Sequence, residues 1–235
     1  MPEYHGQHVE RDWGLWNLPQ YLSVPPQDIG AWGIPFAKRC DIVPEKLIPF
    51  NIAVTDARKG KNLDCGVHFF INDYRFERVW KEPEKYIDIL SRFSGGIIAP
   101  DFSVYTDMPP AMQIWQHFRS RMFSYMCYQA GIPVIPNLIF SGSNTYGSRN
   151  GWVFNGIESG GTVCLSNSGC RKIKEHRLAL NRGVKSFLEQ CSPKTIIVYG
   201  DVPDIDFGSI QVYRYKPFGF GGNYVSEREN ANGED

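Results

Sequence analysis

No apolar run in this sequence approaches the roughly 20 residues that a membrane-spanning helix requires. The opening MPEYHGQHVERDW lacks the basic start and apolar stretch of a secretory signal, so the expectation is a cytoplasmic chain without membrane attachment. No excess of either charge is present, because 25 Lys and Arg oppose 25 Asp and Glu. A protein gripping duplex DNA along its backbone usually carries a basic surplus, so only a local patch could bind nucleic acid here. The six cysteines, Cys40, Cys65, Cys127, Cys164, Cys170 and Cys191, form no C-x-x-C pair and are widely spaced, which argues against a disulfide framework.

Several catalytic signatures are also missing. There is no G-x-S-x-G elbow, no G-x-x-x-x-G-K-[ST] loop and no G-x-G-x-x-G fingerprint, which removes the commonest serine hydrolase, P-loop and dinucleotide-binding readings. His5 and His8, or Cys164, Cys170 and His176, do not match structural zinc spacings. Cys65 and His68 would face opposite sides of a strand. No internal repeat at a fixed period is visible.

What is present is an ordinary globular composition, 42% hydrophobic and 21% charged, with a rich 14% of aromatic residues. Residues 1–48 read as an irregular arm, broken by Pro19, Pro25, Pro26, Pro35 and Pro44, with Trp13, Trp16 and Trp32 as anchors onto the main body. Residues 49–216 read as one α/β domain. Its apolar segments, NIAVTD, VHFFIND, GGIIAPDFS, IPVIPNLIFS, TVCLSNSG and TIIVYGD, predict six strands, and SIQVYRY predicts a seventh. Helices are expected from Pro83 to Phe93, from Pro109 to Ala130 and over 171–190, each with an apolar stripe at helical spacing. Residues 217–235 read as a flexible tail.

Strands alternating with helices imply right-handed crossovers and a mostly parallel sheet. A full eightfold βα-barrel takes about 250 residues, more than lie between Asn51 and Lys216, so an incomplete or reduced barrel-like sheet is expected. An open doubly wound sheet is the alternative. In both, loops and helix N-termini converge at the carboxyl ends of the strands, and ligands bind there. The residues following the strands are Asp56, Asp73, Asp101, Ser103, Asn137, Ser141, Ser166, Asn167, Tyr199 and Asp201. Such carboxylates could hold a divalent metal or act as general acid and base, although Asp and Ser also cap helices and form turns.

The segment APDFSVYTDMPPAMQIW packs Asp101, Ser103, Tyr105 and Asp107 between a buried strand and a long helix. Asp107, just before Pro109 and Pro110, reads first as an N-cap. The segment HFFINDYRFERVWKEPEKY places Asp73, Arg75, Glu77 and Arg78 beside Trp80, which could recognise a planar or sugar-like ligand or simply form a salt-bridged loop. Six basic residues, Arg171, Lys172, Lys174, Arg177, Arg182 and Lys185, crowd the last helix, as a solvated face or as a patch for an anion.

These two segments, followed by GIPVIPNL and TIIVYG, resemble the family known as domain of unknown function 4417 over roughly residues 45–215. Members occur in bacteria, phages and mobile elements, so the resemblance implies a phage or plasmid role. It brings no established activity, and it makes Asp73, Trp80, Asp101, Ser103, Tyr105, Asp107, Asn137 and Tyr199 family-motif positions. The leading expectation is a pocket for a small polar ligand, nucleotide- or sugar-like, which the protein could also hydrolyse. Asp101 would be its acid or metal anchor, Asp73 and Asp201 the supporting carboxylates, Ser103, Asp107, Asn137 and Asn167 polar contacts, and Trp80, Tyr105 and Tyr199 stacking walls. The alternatives are a module engaging a host protein or nucleic acid through the tryptophan arm and the basic helix, and a structural assembly protein.

Overall fold

The computed structural model describes residues 23–105, 107–139, 151–167, 173–217 and 224–232. Nine strands form one sheet: β1 (Lys46–Pro49), β2 (Gly66–His68), β3 (Ile97–Ile98), β4 (Val134–Ile135), β5 (Asn137–Leu138), β6 (Thr162–Ser166), β7 (Thr195–Tyr199), β8 (Gln211–Tyr215) and β9 (Ser226–Asn230). Their order is β4-β3-β2-β1-β9-β8-β7-β6-β5. All pairs are parallel except those of β9, which runs antiparallel to both β1 and β8.

The two ends of this order, β4 and β5, are separated in the chain by Pro136 alone. One five-residue stretch therefore pairs with β3 through its first half and with β6 through its second, and the sheet is nearly closed into a barrel. Proline explains the switch, because it has no N–H to continue a ladder. Its carbonyl still accepts from Cys164 N–H at 2.8 Å.

Helices α1 (Phe50–Lys59), α2 (Arg78–Lys81), α3 (Pro83–Leu90), α4 (Pro110–Gln129) and α5 (Lys174–Cys191) fill only the connections β1–β2, β2–β3, β3–β4 and β6–β7 among the described residues. The mostly parallel α/β sheet expected from sequence is present. Among the described residues, neither a complete ring of helices nor an open doubly wound arrangement is seen.

Strand alternation divides the core. In β6 and β7, Val163, Leu165, Ile196 and Val198 point outward to Leu180, Val184 and Phe187 of α5, while Cys164, Ile197 and Tyr199 point inward. Leu47, Ile98, Ile135 and Tyr215 join them inside the barrel. A second outer layer packs α1 to α4 on β1 to β4. Strands covered on both faces carry near-continuous apolar runs, as TIIVY does.

Three sequence expectations are corrected. NIAVTD is not a strand but part of α1, whose buried Phe50, Ala53, Val54 and Ala57 recur at helical spacing up to Gly60 in the left-handed conformation. Asp56 consequently lies on a helix, accepting from Asn62 Nδ2 at 2.7 Å, and not at a strand tip. Residues 46–48, placed in the arm, open β1, and residues 226–230, placed in the tail, form β9. The polar sequence SEREN hides this strand, since only Ser226 of its five residues is buried. Trp32 is an exposed residue with φ +67° rather than an anchor; the arm is held instead by buried Val24 and Ile34 and by Tyr125 O–H donating to Asp28 Oδ2 at 3.1 Å. Trp13 and Trp16 lie outside the described residues.

Because β9 is paired on both sides, deleting residues 224–235 should leave β1 and β8 with open edges and abolish cooperative thermal unfolding followed by circular dichroism. Gly200 and Gly208 both have positive φ, +123° and +57°, but a Cβ on Gly200 would collide with Asn167 Oδ1, whereas Gly208 faces open space. Gly208→Ala should cost the left-handed strain alone, about 1–2 kcal/mol, and Gly200→Ala more than that in the same denaturant titration.

Candidate functional site

β2 and β3 are neighbours in the strand order, β5 follows β4 directly in the chain at the closure of the sheet, and a polar residue stands just beyond or within each of β2, β3 and β5. Past β2, Asp73 opens a short 3-10 turn, Asp73–Arg75. Its two carboxylate oxygens accept from Ser103: Oδ2 from the N–H at 3.0 Å and Oδ1 from the hydroxyl at 2.7 Å. Past β3, Asp101 Oδ1 accepts from the side-chain amide of Asn137 in β5 at 2.9 Å. Asp73, Asp101, Ser103 and Asn137, expected from sequence to share a site, are brought together.

The support beneath them comes from α4. Ser120 Oγ donates to Pro100 O at 2.6 Å, fixing the residue before Asp101, and Arg121 Nη2 donates to Asn137 O at 2.6 Å. Gln116 Nε2 reaches Ser103 O at 3.2 Å, and Arg119 links Gln116 to Glu77 beyond Asp73. Consecutive polar positions of one helix thus hold both loops. That Gln113, His117, Arg119, Ser120, Arg121 and Ser124 are buried shows why. α4 is enclosed over most of its circumference, so its polar residues find partners in the loops instead of water.

Asp101 is partly exposed at this mouth, yet the protein crowded around its carboxyl raises its pKa to about 7. Burial is the main cause, and the neighbouring Asp73 charge adds to it. The Asn137 amide and the Arg121 cation oppose both. A carboxyl titrating near neutrality can both give and take a proton there.

A second group stands past β6 and β7. Asn167 and Asp201 exchange hydrogen bonds, Asp201 N–H donating to Asn167 Oδ1 at 3.3 Å and Asn167 Nδ2 to Asp201 O. Arg214 Nη2 donates to Asp201 Oδ1 at 2.7 Å. Asn167 and Asp201 line a cleft of about 540 Å³ with Lys174, Arg177 and Asn181 from the start of α5. Asp201 is therefore ion-paired with Arg214 in this second group.

The remaining expectations divide. Trp80 is 4% exposed and packs edge-on to Trp115 and Phe118, so it is core and not an open stacking wall. Tyr199 lies inside the barrel, stacked on Phe70 at 5.0 Å and against His68 at 4.4 Å. β2 and β7 stand on opposite sides of the ring, so these rings meet across the barrel axis and plug it. Tyr105 is exposed at 58%, as a stacking residue requires. Asp107 is exposed but caps nothing: the N-cap of α4 is Pro109, without a side-chain cap. Ser141 lies outside the described residues, as do Arg171 and Lys172 of the basic run. Lys174, Arg177, Arg182 and Lys185 form an exposed face of α5 opposite Leu180, Val184 and Phe187.

Sequence reasoning had given two residues no place in the site: His68, set aside as a metal ligand with Cys65, and Arg121. His68 is wholly buried in the aromatic plug, its Nδ1 accepting from Phe70 N–H at 3.2 Å, and burial lowers its pKa to about 3. Strand alternation in GVHFF puts it inward, a usable signal. Arg121 had no such signal, because only the enclosure of α4 reveals it.

Among the described residues, no three His, Cys, Asp or Glu side chains converge as a metal would require, and no helix is long and apolar enough to cross a membrane. The five described cysteines are unpaired.

Comparison with known proteins agrees with the sequence motifs. The chain is 32% identical over 195 residues to the Gene 1 protein of Mycobacterium phage L5, covering 82% of each chain. It is 30% identical over 164 residues to the Gene 1 protein of Mycobacterium phage D29, covering 68% of this chain and 59% of that one. No solved structure matches significantly. The pattern of the family described as domain of unknown function (DUF4417) matches residues 27–216, the nearly closed sheet from the arm to the end of β8, and the chain belongs to that family.

Proposed function

We propose that this protein, like its relatives a product of the phage world, binds a small polar ligand of nucleotide- or sugar-like character at the mouth formed by β2, β3 and β5, with Asp101 handling a proton. The observation that carries the reading is the setting of Asp101: crowded by protein, beside a second carboxylate, and held by the amide of Asn137. Structural ion pairs usually drive a carboxyl pKa down, whereas this arrangement drives it up to where acid–base work is done. Asp73 and Ser103 form the adjoining polar wall. Tyr74 and Tyr105, exposed at 72% and 58%, flank that wall in sequence and supply apolar faces for a ring. Asn167 and Asp201 extend the polar rim along the β6 and β7 tips.

In hydrolysis or group transfer, the protonated carboxyl of Asp101 would donate to a leaving oxygen, or its ionised form would take a proton from an attacking hydroxyl. The Asn137 amide keeps the carboxyl aimed, and Arg121 steadies Asn137 through its carbonyl. A divalent metal at Asp101 and Asp73 is the less supported version, since two carboxylates make a thin ligand set.

Carbon-13 NMR of the Asp101 carboxyl should show a midpoint near 7. Asp73→Asn should lower it, and a midpoint near the ordinary value of about 4 would remove the proton-handling role. The folded state holds this proton more tightly than the unfolded chain. The carboxyl therefore stabilises the fold fully below pH ~4, and that contribution fades as the pH rises towards 7. Asp101→Asn escapes the loss, so its Tm relative to the parent protein should increase between pH 4 and pH 8. For binding, thermal shifts against nucleoside monophosphates and monosaccharides should show a rise for one class, lost in Asp101→Asn. A rise retained in that variant, or none with the parent protein, would contradict the reading.

A further inference from the structure

We propose that the seam of the barrel between β4 and β6 contains a binding site for one water molecule, shared by the guanidinium of Arg121 and the hydroxyl of Thr162. Both side chains are 1% exposed. Arg121 donates through Nη2 to Asn137 O, but Nε and Nη1 have no hydrogen-bond partner among the described residues, and neither has Thr162 Oγ1. The two residues line the same cavity, closed in by Arg39, Ser124, Pro136 and Glu158. Its volume of about 10 Å³ matches one water-sized sphere.

Three physical constraints select the occupant. Burial lowers the Arg121 pKa to about 9, which leaves the group charged at neutral pH, and a buried cation needs polar contacts. Each buried donor without a partner costs about 1–3 kcal/mol, so neither Arg121 nor Thr162 is stable facing an apolar wall. A water oxygen can accept from one guanidinium N–H and also accept from or donate to the threonine hydroxyl. The nearby Glu158 carboxylate, which already accepts from Arg39 N–H at 2.6 Å, offers a third polar neighbour. That set meets the two to four partners typical of a buried water.

The position also explains why water belongs there. β4 and β6 are not paired directly: Thr162 N–H donates to Cys40 O at 2.8 Å, and Cys40 Sγ contacts Val134 O at 2.9 Å, so residues 39–40 wedge the strands apart. Pro136 brings no N–H to the gap. Arg121 enters it from α4, and a water joining Arg121 to Thr162 links that helix to β6 where the ladder is interrupted. This site is independent of whether the mouth above it takes a ligand.

The test is a high-resolution crystal structure of the full chain grown with bromide replacing chloride. We expect one density peak within hydrogen-bond distance of an Arg121 nitrogen and of Thr162 Oγ1, with no bromine anomalous signal. No peak overturns the proposal, and an anomalous peak overturns it in favour of a halide counter-ion. Thr162→Ser should retain the peak and Thr162→Val, of nearly the same shape, should lose it. A peak that persists at Arg121 in the valine variant would contradict a shared water. Should the valine variant fail to fold, nuclear Overhauser contacts between a long-lived water and the Thr162 methyl group in the parent protein decide the same point.

Discussion

The stretch from Val134 to Leu138 serves two neighbours at once, and the rest of the architecture depends on that. Its first half completes the ladder of β3, its second half that of β6, and Pro136 marks the change of partner. Without it the remaining strands, β3-β2-β1-β9-β8-β7-β6, would form an open sheet with β3 and β6 as its edges. With it, the end of β3 and β5 meet, and the Asn137 amide reaches Asp101. A short, interrupted ladder cannot carry this alone, and α4 supplies the reinforcement: Ser120 holds Pro100 on the β3 side, and Arg121 holds Asn137 on the β5 side.

The electrostatics follow from the same junction. Arg121 is driven into the seam by the enclosure of α4, and its charge is what Asp101 feels from below. Asp73 arrives from the β2 side, fixed by Ser103, and opposes that influence. The outcome is a carboxyl that burial and a like charge push up while an amide and a cation pull it down. At the carboxyl ends of β2 and β7, His68, Phe70 and Tyr199 close the interior with aromatic rings, so the polar chemistry is confined to the rim.

Much of this was legible beforehand in the residue pattern, because alternation and helical spacing report burial directly. β6, β7 and β8 and helices α3, α4 and α5 are continuous patterns that match TVCLS, TIIVY, QVYRY and their amphipathic partners. Asp73, Asp101, Ser103 and Asn137 could be named because strand ends in parallel sheets face one side. What escaped lacks a local signature. SEREN in β9 is polar because most of its side chains face solvent, and its pairing with β1 joins residues nearly the whole chain apart. FNIAVTDARK was misread because three adjacent apolar residues look alike in a strand and in a helix, and only Phe50 and Ala57 at either end settle the period. Trp80, aromatic and near a carboxylate, suggested a ligand wall but fills the core, a choice made by its neighbours Trp115 and Phe118.

The most direct test of the closure is amide hydrogen exchange at two positions on either side of the junction. Ala99 N–H donates to Ile135 O and Cys164 N–H to Pro136 O, so both depend on the same stretch from opposite sides. The account predicts that both amides are protected to the same free energy, that of global unfolding. Rapid exchange at Cys164 beside a protected Ala99 would mean that the sheet is open at β6, and the shared mouth would be contradicted.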